Sequence, residues 1–140
     1  MSISADACFA EIIGLHDFFE AWLRGAVPAT AATFARFLGV TDPEFTIVGP
    51  DGAISDLPAT AAWIRAAHSA RPGVRLWTDN HRLHFADDNI AVVTYLEWQE
   101  RDGATTVRRS TAVFHAHPTA PNLVSWRHVH ETWLENTSDA

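Results

Sequence analysis

Four long segments in the second half of the chain are rich in β-branched and aromatic residues, and they constrain the fold more than any other feature. They cover residues 74–85, 90–101, 104–117 and 123–135. Asp102-Gly103 alone separates the second segment from the third, and this dipeptide between two strand-like segments is typical of a tight hairpin. The sequence therefore predicts four long strands in an antiparallel meander.

The first half of the chain has the periodicity of helices. Apolar residues recur at helical intervals over residues 5–24, 29–38 and 57–70, and a short strand is predicted at 44–48. Helices that precede a run of antiparallel strands define an α+β class, in which the helices cover one face of the sheet.

Composition limits the kind of protein. The chain has 140 residues, which fits a single domain over residues 1–140, and its net charge is −7. An acidic chain repels phosphate backbones, so no nucleic-acid partner is expected. A lone Cys8 cannot form an internal disulfide and lacks zinc-site spacing, and no metal or cofactor is expected. Neither a signal peptide nor a membrane-spanning run is present, so we expect a cytoplasmic protein without membrane contact.

The Asp102-Gly103 turn sets the register of the central hairpin. If the strands flank this turn directly, Glu97 lies opposite Arg108, and opposite charges across a strand pair favour that register. A symmetric loop before the last strand then extends the same face. This face is polar and aromatic, and it carries Tyr95, Glu97, Arg108, Ser110, Trp126, His128 and His130.

Two alternatives stay open at this point. A three-residue loop at 87–89 adds His81 and Asp79 to the polar face, whereas a two-residue loop sends them to the other face. The apolar face of the sheet could also pack on the helices, which would leave the polar face in water. Periodicity alone does not decide between these arrangements.

The order of the elements and the terminal run Trp126-Arg127-His128-Val129-His130-Glu131-Thr132 resemble the nuclear transport factor 2-like superfamily, and within it SnoaL-like and small bacterial domains of unassigned function. Residues 45–48 before the turn at 50–52, and residues 90–95, carry the rest of the likeness. The resemblance covers nearly the whole chain.

This resemblance implies a cystatin-like, cone-shaped fold: a curved antiparallel sheet wrapped around three N-terminal helices, with a ligand cavity inside. It also implies that the polar face points into the cavity and that the outer face of the sheet forms a homodimer. The catalytic acids of the ketosteroid isomerases in this superfamily would fall on Gly49 and near Ser110 or Ala112, where this chain has no acid. Ketosteroid isomerase chemistry is therefore not expected.

The polar face could support acid–base chemistry on a small apolar carbonyl compound, as an isomerase, a dehydratase or a cyclase. The alternative is a non-catalytic ligand-binding or association module. His16, on the apolar stripe of the first helix, is expected to be a buried core or rim residue. The candidate catalytic residues are His128, His130, Glu97 and Tyr95, and the candidate ligand-binding residues are Arg108, Ser110, Trp126, His81, Trp22 and Trp63.

Overall fold

The computed structural model describes residues 1–135, in which three helices precede and interrupt a six-stranded sheet. The predicted α+β class is therefore confirmed. The elements are α1 (Ala5–Arg24), α2 (Ala31–Leu38), β1 (Thr41–Val48), β2 (Ile54–Asp56), α3 (Leu57–Ala66), β3 (Arg75–Ala86), β4 (Ile90–Arg101), β5 (Ala104–Ala116) and β6 (Val124–Leu134).

Local signals set the helix ends. The Ser4 side chain accepts a hydrogen bond from the Ala7 backbone and begins α1, while Gly25, in the left-handed region at φ 71°, ends it. Helix α3 is shorter than predicted, because the backbone N–H groups of Ser69 and Arg71 bind carbonyls at the end of α1 instead of continuing the helix. Within residues 1–135, no helix is both long enough and apolar enough to cross a lipid bilayer.

The strands lie in the order β2-β1-β6-β5-β4-β3. The four long strands form the predicted antiparallel meander. The sheet is nevertheless mixed, because β1 pairs with β6 in parallel. The short β2, which was not predicted, pairs antiparallel with β1 and leads directly into α3.

The central hairpin has the predicted register, with Glu97 opposite Arg108. The next pair of strands departs from the prediction at one point. Phe114 lies opposite Trp126, which keeps Trp126 on the predicted face, but a bulge at Arg127 then places Val113 opposite His128. One extra residue in a strand reverses the faces of all the residues that follow it.

A buried carboxylate joins α1 to α2 and β6. Glu11 accepts hydrogen bonds from the indole Nε1 of Trp126 at 2.8 Å, from the amide of Asn122 at 3.0 Å and from both terminal nitrogens of Arg36 at 3.0 and 3.1 Å. These bonds satisfy a side chain that is fully buried. They hold α1 across the concave face of the sheet, where it forms one side of the site described below.

Candidate functional site

A cavity of about 160 Å³ lies between α1, α3 and the concave face of the sheet. Most of its wall is apolar, and its polar groups come mainly from α1 and from the middle of β4, β5 and β6. The lining residues used below are His16, Trp22, Trp63, Arg71, Tyr95, Glu97, Gln99, Arg108, Trp126 and Glu131.

His16 projects from α1 into this cavity and is buried. Its Nδ1 lies 2.7 Å from the carbonyl oxygen of Ile12, and its Nε2 lies 2.9 Å from Oε1 of Glu97. Burial lowers the pKa of His16, but the hydrogen bond and the charge of Glu97 outweigh it, so the pKa is raised overall. Because both neighbours are acceptors, both ring nitrogens donate and His16 is an imidazolium.

Glu97 is the ionised carboxylate of the site. Burial raises its pKa, but the hydrogen bond and charge of His16, together with Arg108 and Gln99, lower the pKa to about 2. The Gln99 amide donates to Oε2 at 2.7 Å, and Arg108 Nε lies 3.7 Å from the same oxygen. The sequence predicted Arg108 as the charged residue opposite Glu97, and His16 is a second partner that the prediction lacked.

Arg108 lies between the two acidic groups of the cavity. Its Nε is 3.7 Å from Glu97, and its terminal nitrogen is 3.4 Å from Oε1 of Glu131. The guanidinium stacks on the ring of Trp133, 4.6 Å from the centroid. Arg108 Nε is buried and has no hydrogen-bond partner among the described residues, so its desolvation is offset only by the charge of Glu97.

Glu131 is the second acid of the site, and its surroundings differ from those of Glu97. Its two contacts are long: 3.4 Å from Arg108 and 3.5 Å from the Ser110 hydroxyl. Burial and the negative charge of Glu97 raise the pKa of Glu131 to about 7, although Arg108 and His16 oppose the shift. Both protonation states of Glu131 are therefore populated near neutral pH.

Tyr95 and Ser110 continue the polar network on the sheet, where they lie opposite each other. Tyr95 is buried, and this burial raises the pKa of its hydroxyl well above the usual value, so the phenol stays protonated. The Ser110 hydroxyl donates to Glu131 at 3.5 Å. Within residues 1–135, no group of three or more His, Cys, Asp or Glu side chains is arranged to hold a metal ion.

The structure does not bring His128 and His130 to this network, and their predicted position on the cavity face is wrong. The bulge at Arg127 turns both to the outer face, where they pair with Val113 and Thr111. His128 Nδ1 lies 2.8 Å from the hydroxyl of Thr46, and His130 is exposed. The same bulge turns Glu131 inward.

The loop after β3 has the two-residue form, because the Asp87 N–H binds the Ile90 carbonyl. Strand β3 contains two bulges, and the one between Asp79 and Arg82 places Asp79 and His81 on opposite sides of the sheet. Asp79 lies opposite Leu96 on the outer face. His81 returns to the inner side and stacks on Tyr95 with the ring centroids 6.3 Å apart, next to the cavity rather than in its lining.

All three tryptophans that were predicted to bind a ligand line the cavity. Trp22 is buried and donates from its indole nitrogen to the Ile64 carbonyl at 2.7 Å. Trp126 is also buried, bound to Glu11, whereas Trp63 on α3 is 60% exposed and lies at the rim. The cavity wall is therefore buried at Trp22 and Trp126 and accessible to solvent at Trp63 on α3.

Sequence reasoning missed Glu131, and it gave His16 only a structural role. A signal for Glu131 existed in the last strand: Val124 and Trp126 are two residues apart, but the next buried apolar residue, Val129, follows after three. Residues on one face of a regular strand recur every two positions, so an interval of three between buried residues indicates a bulge. No comparable signal connects His16 to Glu97, 81 residues further along the chain.

Comparison with solved structures identifies the class of the fold. A nuclear transport factor 2-like protein of unknown function from Pseudomonas aeruginosa is 27% identical, with 92% of this chain and 99% of that chain covered and a TM-score of 0.83. The CaMKII hub of S. rosetta shares the fold alone, at 15% identity and a TM-score of 0.69, with 92% of this chain and 95% of the hub covered. The chain thus has a nuclear transport factor 2-like fold.

Residues 9–135 match the family described as sucrose-6-phosphate phosphohydrolase C-terminal, and the chain belongs to this family. Sucrose-phosphatase 2 of Nicotiana tabacum is 25% identical over 135 residues, which cover 91% of this chain and 31% of the tobacco protein. The chain therefore spans about a third of the length of the curated relatives that it matches.

Proposed function

We propose that this domain binds a small, mostly apolar carbonyl compound in the cavity and moves a proton to or from it through Glu131. The supporting observation is the contrast between two carboxyl groups in one buried network. Glu97 has a pKa of about 2, and Glu131 has a pKa of about 7. A pair of titratable groups whose environments separate their pKa values is typical of acid–base sites.

The cavity sets the size of the ligand. A volume of about 160 Å³ is close to that of an apolar protein cavity of roughly 150 Å³ that holds benzene. A six-membered ring with one carbonyl oxygen therefore fits. The apolar wall accepts the ring, and the few convergent polar groups orient the oxygen.

Each polar group has a defined role in this proposal. Ionised Glu131 takes a proton from the carbon next to the carbonyl, and the electron pair of that C–H bond moves to form an enolate. The guanidinium of Arg108, which lines the cavity, donates to the enolate oxygen. Protonated Glu131 returns the proton to carbon, so no electrons are gained or lost overall. The His16–Glu97 pair positions Arg108 and keeps its charge balanced.

Deuterium exchange tests the chemistry. Cyclohexanone in D₂O should acquire deuterium beside its carbonyl faster with the protein than without it, and Glu131→Gln should remove the difference because an amide cannot act as the base. Glu100→Gln, at a partly exposed site on β4, is the matched control. Binding of cyclohexanone without enhanced exchange would reduce the proposal to ligand binding. Sucrose and sucrose 6-phosphate belong in the same binding screen, because the matched relatives carry those names.

A second candidate function is association through the outer face of the sheet. This face carries partly exposed apolar side chains, among them a stacked pair, Trp77 and Trp98, with centroids 6.1 Å apart. A C. elegans neighbour of the same fold is an association domain of CaMKII. We propose a homodimer of two sheets packed face to face. Trp133, on the cavity face above Arg108, is not part of that surface.

A further inference from the structure

This acidic chain has ten arginines and no lysine. Ion pairs hold Arg36, Arg75, Arg108 and Arg127, and the Arg65 guanidinium lies over an aromatic ring. The six arginines outside these ion pairs, Arg71 and Arg101 among them, have no acidic partner within 4 Å among residues 1–135. Arg71 and Arg101 both line a second cavity, and Arg71 also lines the first.

A second, more open cavity of about 380 Å³ adjoins the first. It lies between the loop at residues 70–74 and the tip of the β4–β5 hairpin, where Arg101 and Asp102 line it. Arg71 lines both cavities, so its guanidinium belongs to the wall of each.

The loop that carries Arg71 is tied to α1. The Arg71 N–H donates to the Leu23 carbonyl at 2.9 Å, and Arg24 Nε donates to the Pro72 carbonyl at 3.3 Å. Partial burial, followed by the positive charges of Arg101 and Arg108, lowers the pKa of Arg71. Three cations therefore lie close together, with Asp102 beside Arg71 and Arg101 and with Glu97 and Glu131 beside Arg108.

We infer that Arg71, Arg101 and Arg108 form an oxyanion site beside the cavity, so that the ligand is an organic anion whose apolar part fills the cavity and whose carboxylate or phosphate lies against Arg71. Planar guanidinium groups bind both oxyanions in bidentate fashion. This inference deepens the proposed function, because it names the chemical class of the molecule that Glu131 would act on.

Tryptophan fluorescence provides a readout, because Trp22, Trp63 and Trp126 line the cavity. The probes are inorganic phosphate, phenyl phosphate, benzoate and the neutral benzyl alcohol. The oxyanion site predicts that both aromatic anions bind more tightly than benzyl alcohol. Arg71→Gln should weaken them by about tenfold or more while leaving benzyl alcohol unchanged. The relative affinities of phenyl phosphate and benzoate identify the preferred anion.

Three variants complete the test. Arg101→Gln, at an exposed residue, provides the same comparison if Arg71→Gln does not fold. Asp102→Asn should tighten anion binding several-fold, because it removes the local negative charge at a residue with φ 53°, a conformation that Asn adopts readily. Arg75→Gln, at an exposed arginine at the start of β3, should leave the binding of every probe unchanged.

The outcomes separate this inference from the proposed function. If benzyl alcohol binds and the anions bind no better, or if Arg71→Gln weakens neutral and anionic probes equally, the oxyanion site is refuted while the cavity proposal stands. If inorganic phosphate and the anions bind through Arg71 but benzyl alcohol does not, the oxyanion site stands and the apolar cavity proposal fails. If Arg75→Gln weakened anion binding as much as Arg71→Gln, the binding would be a general effect of surface charge, and the oxyanion site would be refuted.

Discussion

His16 Nε2 lies 2.9 Å from Oε1 of Glu97, and this contact joins α1 to the middle of the sheet inside the cavity. Both side chains are buried, so neither charge is screened by water. The contact holds Glu97 ionised, and that negative charge is one of the two main causes that raise the pKa of Glu131. The protonation of the whole site therefore depends on the pair.

Glu97→Gln should destabilise the protein because it leaves two buried cations, His16 and Arg108, without their shared carboxylate. We expect the free energy of unfolding to fall by about 3 kcal/mol, as is usual when one member of a buried ion pair is removed. Urea denaturation followed by circular dichroism measures the loss.

Glu100→Gln is the control for that loss. Its carboxylate pairs with Arg75 at 3.8 Å on the surface, where such pairs contribute roughly 0–1 kcal/mol. Equal losses in the two variants would contradict the central role of the buried pair.

Glu131→Gln should change how stability depends on pH. The folded-state pKa of about 7 lies above the ordinary value of 4.5, so the folded protein holds more protons than the unfolded chain between these values. The stabilising contribution of Glu131 is complete below pH 4.5 and is lost as the pH rises through 7. The glutamine of the variant does not titrate, so the variant does not lose this contribution. Its free energy of unfolding, relative to that of the wild type, should therefore increase by up to about 3 kcal/mol as the pH rises from 4.5 to 7. Denaturation at pH 4, 5.5, 7 and 8.5 checks the sign, which a relative decrease would contradict.

His128→Ala and His130→Ala should leave cyclohexanone binding within about 0.5 kcal/mol of the wild type, because both side chains lie outside the cavity. His16→Ala should reduce binding and stability together, since it removes the main partner of Glu97. Fluorescence titration of the three variants measures the difference. A loss of binding in His128→Ala or His130→Ala would place β6 in the register without a bulge.

Leu96→Arg should separate the proposed dimer, because Leu96 lies at the middle of the outer face of β4. A buried, unpaired guanidinium is too costly for such an interface. Ile54→Arg makes the same change at an exposed residue of β2, at the edge of the sheet, and should leave the mass unchanged. Light scattering at micromolar concentration reports both. A monomeric wild type would exclude the dimer.

The fold was predictable because its signals are local. Strand β4 and the whole of α1 have the predicted bounds, and the Asp102-Gly103 turn fixed the Glu97–Arg108 register. Each of these depends on residues that are adjacent in sequence or joined by a two-residue turn.

The site was only partly predictable because it depends on two features without a strong local signal. One extra residue, Arg127, exchanges His130 for Glu131 on the cavity face. The approach of His16 to Glu97 depends on how α1 crosses the sheet, which no turn specifies. Tyr95 and Glu97 lie on β4, whose register with β5 is set by the Asp102-Gly103 turn and does not depend on the bulge in β6. They therefore lie on the predicted face.

The most direct test of acid–base chemistry at Glu131 is the NMR signal of its carboxyl carbon in a ¹³C-labelled sample. The absence of this signal in Glu131→Gln assigns it, and its position is followed from pH 3 to pH 9. The signal reports whether Glu131 exchanges its proton at the pH where the proposed chemistry operates. The proposed chemistry requires a transition midpoint of about 7 for Glu131, with Glu97 still ionised at the acidic end. A midpoint for Glu131 close to its ordinary value of 4.5 would contradict it.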